Sequence, residues 1–212
     1  MRKYVPAYEG NLRKHTLSVP RCISECSGIR VFGRRIKSLV FSTDVAIIKN
    51  INADAIIAVY PFTPQPAITQ AIIGVSEVPV FCGVGGGLTN GVRSASMAAY
   101  VEHQGAYGVV CNSKIGVETI HAIKDAVEIP VVYTVISENT DIQPYLTAGV
   151  DIINVSGAAR TPEIVGALRQ RYPELPIIAT GGPTEESILA TIRAGANAIT
   201  YTPPSSASLF AK

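Results

Sequence analysis

The chain has 212 residues, 47% apolar and only 16% charged, with a formal net charge of +2, which suits one domain with a large buried core. The near-neutral balance, without a basic run, argues against nucleic acid as a partner. The mean hydropathy of +0.28 does not signal a membrane protein, because no run approaches the roughly 18 apolar residues that span a bilayer.

The first residues, MRKYVPAYEG, contain no apolar signal core, and the four cysteines show no framework spacing. Both features predict a cytoplasmic protein. Cys22 and Cys26 stand at i and i+4, and one such pair does not complete a metal site. Residues 1–35 read as an N-terminal extension. Within it, SGIRVFGRRIKSLVF predicts a hairpin turning at Gly33-Arg34-Arg35.

Eight short apolar runs follow: IKSLVFSTD (36–44), DAIIAVYPF (54–62), PVFCGVGGG (79–87), GVVCNS (108–113), PVVYTVIS (130–137), VDIINVSG (150–157), PIIATGG (176–182) and NAITYTPP (197–204). Each precedes a stretch able to form a helix. The third, fifth and seventh runs open on Pro79, Pro130 and Pro176, as a strand's first residue tolerates. The even-numbered runs follow small-residue turns, among them Ala53-Asp54-Ala55, Gly149-Val150-Asp151 and Gly195-Ala196-Asn197. Glycine there fits the end of a helix.

Strands apolar on both faces, alternating with helices, predict a parallel sheet with crossover helices. Eight such units predict a (β/α)8 TIM barrel over residues 36–212. An open doubly wound sheet is the alternative. The extension would cover the barrel's N-terminal end. The last helical stretch, SSASLFAK, is very short, so the extension or a neighbouring subunit is expected to fill the gap it leaves. A homo-oligomer is the expectation.

In this fold, active sites sit at the C-terminal ends of the strands. Alternation then predicts the inward side chains: Asp44, Tyr60, Cys82, Asn112, Thr134, Asn154, Thr180 and Thr202. His15, His103 and His121 fall away from strand ends, and no His-x-His pair marks a metal site, so no metal is expected. Asp44 and Glu138 are the candidate acid/base carboxylates. Cys82 is a candidate nucleophile if its thiolate is stabilised. Asn112, Asn154 and Thr134 would orient a polar substrate. The stiff loop Pro61-Phe62-Thr63-Pro64-Gln65-Pro66 would form a pocket wall with Tyr60, its Phe62 stacking on a ring or sugar.

CGVGGGLTNG (82–91) lacks the Lys-Ser/Thr of a P-loop and the spacing of a dinucleotide fingerprint. Its Gly85 and Gly86 would still offer backbone N–H groups to an anion. TGGPTEES and YTPPSSAS end the seventh and eighth runs, where phosphate sites of this fold are commonly built. There Gly181 and Gly182 admit close approach, and Ser205 and Ser206 open the last helix. Pro203 and Pro204 remove two donors nearby.

IIATGGPTEESILATIRAGANAITY resembles the terminal part of phosphate-binding barrels: keto-deoxy-phosphogluconate aldolases, thiamin-phosphate synthases, sugar-phosphate epimerases and FMN-dependent nitronate monooxygenases. The resemblance implies that Gly181 and Gly182 hold phosphate. It also implies a Schiff-base lysine on the sixth strand for aldolase chemistry, where this chain has Asn154. FSTDVAIIKN, VYPFTPQP, VFCGVGGG and ATGGPTEES resemble a bacterial family of TIM-barrel proteins loosely labelled hydrolases. No Gly-x-Ser-x-Gly elbow supports that label.

The resulting expectation is an enzyme acting on a small, phosphorylated or otherwise anionic metabolite, with lyase, isomerase and hydrolase chemistry all open. One alternative is an FMN-binding oxidoreductase, FMN being the cofactor it would need. The other is a non-catalytic metabolite sensor.

Overall fold

The computed structural model describes residues 4–8 and 17–210; His15 lies outside them. The first strands, β1 (Ile29–Val31) and β2 (Arg34–Ile36), form an antiparallel hairpin. Val31 pairs with Arg34, so the turn is Phe32-Gly33, one residue earlier than the sequence suggests. Both residues have positive φ, 45° and 81°. Two-residue hairpin turns favour that hand because it matches the twist of the strands.

Eight parallel strands follow: β3 (Ser38–Phe41), β4 (Ala55–Ala58), β5 (Val80–Gly85), β6 (Gly108–Cys111), β7 (Val131–Val135), β8 (Ile152–Val155), β9 (Ile177–Thr180) and β10 (Ala198–Tyr201). They close into a barrel in which β10 pairs with both β9 and β3. Between them run α1 (Val45–Lys49), α2 (Pro66–Val75), α3 (Val92–His103), α4 (Val117–Ala126), α5 (Gln143–Thr147), α6 (Thr161–Arg171) and α7 (Glu185–Arg193). The final α8 (Ser206–Phe210) has five residues. This is a (β/α)8 barrel. No described helix is long and apolar enough to cross a membrane.

Side-chain alternation divides the strands into two layers. Leu39, Ala55, Ile57, Phe81, Val110, Val132, Ile152, Ile178 and Ala198 form the barrel interior. Val31 and Ile36 of the hairpin join that cluster, so the hairpin packs against the interior side chains. Val40, Ile56, Cys82, Val109, Tyr133 and Ile153 belong to the larger cluster beneath the helices.

This assignment corrects the expected inner face on the first and third barrel strands. On β3 the interior takes Leu39 and Phe41, not Ser38 and Val40. Asp44 shares the face of Ser38 by alternation, and the polarity of Ser38 is satisfied away from the barrel mouth. Its N–H and hydroxyl both donate to Asp54 Oδ2, at 2.9 and 3.0 Å. On β5, Cys82 faces the helices and Gly83 and Gly85 face inward.

Asp54 belongs to a recurring device at the strand starts. Its Oδ2 also accepts the Lys37 N–H at 2.9 Å. Asp151 Oδ2 accepts the Val131 N–H, and Asn197 Oδ1 accepts the Ile177 N–H, each at 2.9 Å. In each case the residue just before an even-numbered strand ties down the start of the preceding strand.

The segment before the hairpin packs along the outside of the barrel. Leu17 bridges in parallel to Ile51, just past α1. A 3-10 turn, Arg21–Glu25, buries Cys22 and Ile23 and packs on α7. The segment therefore runs from the end of α1 to α7.

Candidate functional site

A cavity of about 750 Å³ opens at the C-terminal end of the barrel. Its floor is apolar, from Phe41, Ile57, Val59 and Val110. A band of uncharged polar groups surrounds the floor: Asn112, Thr134, Asn154, Ser156, Thr180, Thr200 and Thr202. One wall is the loop from Tyr60 to Pro64, and another runs from Gly85 to Thr89. Lys114 is the one lysine, arginine or carboxylate residue lining the cavity among the described residues.

The polar band is only partly self-satisfied. Asn154 Nδ2 donates to Thr134 Oγ1 at 3.3 Å. Thr180 and Ser156 hydroxyls meet at 3.4 Å. Asn154 Oδ1 and Thr200 Oγ1 are buried without a partner in the protein. Buried polar atoms are nearly always hydrogen-bonded, so these two oxygens call for donors from water or a ligand.

Asn112 is fixed by its neighbours. Its Oδ1 accepts the Lys114 N–H at 2.9 Å, and its own N–H donates to Gly85 O at 3.1 Å. Gly86, with φ of +113°, lies against the same side chain. A Cβ at Gly86 would fall 1.9 Å from Asn112 Oδ1. The glycine loop is closed on itself rather than open to an anion through Gly86. The Gly86 N–H donates to Thr89 O at 2.8 Å, and Asn90 Nδ2 donates to Gly87 O at 2.5 Å.

Several predicted residues do meet in this cavity: Tyr60, Phe62, Gly85, Gly86, Asn112, Thr134, Asn154, Thr180 and Thr202. Others lie elsewhere. Asp44 does not point into the barrel; it is the N-cap of α1. Its Oδ1 accepts from the Ala46 and Ile47 N–H groups at 2.9 and 3.2 Å. The Ser206 hydroxyl and those amides hold its carboxyl below the usual range. A carboxylate so engaged is poorly suited to a general base near neutral pH.

Glu138 pairs with Arg160 and does not line the cavity. Its own backbone N–H and the Arg160 guanidinium hold it below the usual carboxylate range. Cys82 is buried beneath the helices, and burial pushes its thiol up to about 12. It has neither exposure nor a stabilised thiolate, the two requirements for a nucleophile.

Gly181 and Gly182 are built into the start of α7 rather than into the cavity. The Gly181 N–H donates to Thr200 O at 3.2 Å. A Cβ there would meet Ile188 Cγ1 and Ile199 Cγ2 at 2.7 and 2.8 Å, so Gly181 lets the helix sit close to the sheet. Gly182, with φ of +81°, leads into a capping box in which Thr184 and Ser187 satisfy each other's N–H groups. Glu185 and Glu186 occupy the first turn, where their charge disfavours a second anion. Ser205 and Ser206 also lie outside the cavity; Ser205 Oγ accepts the Ser208 N–H at 3.2 Å.

The lining also takes in Phe41, Ser156, Thr200 and Lys114, none of them among the site residues expected from the sequence. The signal for Lys114 was its place two residues after the strand-ending Asn112. Among the described residues, no three His, Cys, Asp or Glu side chains converge as a metal site.

No family model matches the chain, and no curated protein does. Solved structures match it in fold. Phosphonopyruvate hydrolase, in complex with oxalate and Mg++, has a TM-score of 0.64 at 15% identity, over 85% of this chain and 79% of its own. Phosphoenolpyruvate phosphomutase from Streptomyces platensis subsp. rosaceus has a TM-score of 0.63 at 15% identity, over 82% and 77%. Mandelate oxidase has a TM-score of 0.62 at 15% identity, over 84% and 68%. At such identities the likeness establishes the fold: this chain is similar to TIM-barrel enzymes in architecture.

Proposed function

We propose that the chain is a TIM-barrel enzyme whose substrate is a small hydroxylated organic anion, a hydroxy acid or a sugar phosphate, seated at the barrel mouth. The observation that carries this reading is the cavity's composition. One cation, Lys114, faces a band of neutral hydroxyl and amide groups over an apolar floor. Lys114 takes the acid group of the ligand. The polar band takes its hydroxyls, with Asn154 Oδ1 and Thr200 Oγ1 as the acceptors still lacking donors. Phe41 and Phe62 cover its apolar side.

The location supports catalysis, because the C-terminal mouth is where barrels of this type do their chemistry. Lys114 and Tyr60 are the ionisable lining groups, so proton movement at the substrate falls to them. The structural neighbours act on small acids by their names, which agrees with an anionic ligand. The Mg++ of the phosphonopyruvate hydrolase complex is not carried over: the cavity lining here has no carboxylate to hold it.

The test is a thermal-shift screen with hydroxy acids, sugar phosphates, oxalate and inorganic phosphate, on wild type and Lys114→Met. A ligand that binds the native state raises the melting temperature with its concentration. At least one anion should stabilise the wild type and not the variant. A charge-assisted hydrogen bond of about 1.5–3 kcal/mol corresponds to a roughly tenfold to hundredfold loss of affinity. Equal stabilisation of both proteins by every anion would refute the reading.

A further inference from the structure

Lys114 stands on a short loop between β6 and α4, and exposed loops ordinarily move. This one is held from three directions. Asn112 Oδ1 accepts the Lys114 N–H at 2.9 Å. The Tyr145 hydroxyl donates to Ile115 O at 3.1 Å, and the Tyr133 hydroxyl reaches Ser113 O at 3.5 Å. The Tyr145 phenol therefore holds the carbonyl after Lys114, and the Tyr133 phenol lies at the outer limit of hydrogen-bond reach from the one before it.

The tyrosines come from different elements, β7 and α5, and support each other. Their rings stack with centroids 4.0 Å apart and planes 9° from parallel. Tyr133 is 1% exposed and sits in the layer beneath the helices. A buried tyrosine needs a partner for its hydroxyl. Both find theirs in the same loop.

We propose that Tyr133 and Tyr145 are positioning residues for Lys114, and that with Asn112 they preset a subsite for a carboxylate or phosphate group. This inference rests on the reading of the cavity as an anion site. A loop ordered before the ligand arrives loses little freedom on gripping it, and that saving appears as affinity. The subsite stands after the fourth barrel strand, away from the glycine pair that follows the seventh.

The experiment uses the full chain with oxalate and inorganic phosphate as probes. Calorimetric affinity is measured for wild type, Lys114→Met, Tyr145→Phe and Tyr133→Phe, together with amide hydrogen exchange. Tyr145→Phe keeps the stacked ring and removes one hydroxyl. It should weaken anion binding about fivefold, the equivalent of one neutral hydrogen bond, and speed exchange only across residues 112–116. A purely structural tyrosine would raise exchange broadly and leave affinity in place. If Lys114→Met loses the anions while both phenylalanine variants bind them as wild type does, the positioning role is overturned and the anion site stands. If neither anion binds the wild type, or both bind Lys114→Met equally well, the anion reading fails and this proposal fails with it.

Discussion

Ser206 donates its hydroxyl to Asp44 Oδ2 at 2.5 Å across 162 positions of chain, joining the last helix to the cap of the first. The other oxygen of Asp44 holds two amides of α1. Removing the side chain in Asp44→Ala should cost about 0.5–2 kcal/mol, as lost N-caps do. Asp44→Asn should cost less, because asparagine caps nearly as well. The sign of the pH dependence follows from the lowered carboxyl. Its stabilising effect is complete above the unfolded value of about 3.9 and disappears as pH falls through the lower folded value. Urea unfolding at neutral pH and at strongly acid pH should show the wild type's advantage over Asp44→Ala shrinking with acid. Anion affinity should be the same in all three proteins; a large loss in Asp44→Asn would return Asp44 to the chemistry.

Gly86→Ala is expected to damage both stability and binding. The new Cβ would collide with Asn112 Oδ1 at 1.9 Å, at a backbone φ of +113°. Strain of this kind costs about 1–3 kcal/mol. Relief requires Asn112 to move, and Asn112 holds the Lys114 amide. Denaturant unfolding should register the first effect and anion calorimetry the second. Unchanged affinity would show that the Asn112 position is immaterial to the ligand.

Gly181→Ala should separate from it cleanly. The added methyl meets Ile188 and Ile199, which are packed side chains and not cavity lining. Overpacking of this sort costs about 1–3 kcal/mol. The variant should unfold earlier in urea and bind anions as the wild type does. Loss of phosphate binding without loss of stability would instead restore the glycine pair as a phosphate cradle.

The thiols of Cys82 and Cys111 should be silent in the native protein. Burial pushes both up to about 12, so thiolate is scarce at pH 8. Iodoacetamide should label neither until denaturant is added, as peptide mapping would show. Rapid native labelling of Cys82 would contradict its placement beneath the helices.

The barrel was legible because it is written in repeats. Prolines opened three strands, and small-residue turns opened the even ones. The cavity lining was legible on the later strands, where Asn112, Thr134, Asn154, Thr180 and Thr202 are polar residues within otherwise apolar runs. On β3 the same rule misled, because Ser38 is polar for a bond to Asp54 at the opposite end of the barrel. Asp44 misled because a carboxylate after a strand serves a helix cap as well as it serves catalysis. The Ser206 contact depends on segments brought together by barrel closure, the Asp54 contact depends on the pairing of β3 with β4, and no local pattern announces either. Lys114 is marked only by its place two residues after Asn112, whereas the support of its loop is not legible, because the phenols lie 20 and 30 positions downstream of the carbonyls they reach.

The ties made by Asp54, Asp151 and Asn197 give the barrel a grammar of strand pairs. β3 with β4, β7 with β8, and β9 with β10 are each fastened by one side chain at an equivalent register. The pair β5 with β6 is the exception. Its equivalent residue, Tyr107, turns instead to the edge of Phe32 on the hairpin. Among these four pairs, the aromatic contact with the hairpin falls at the one that lacks such a tie, and the extension is bonded to the ring a second time beside β10, where Asn197 Nδ2 donates to Ser27 Oγ at 2.9 Å.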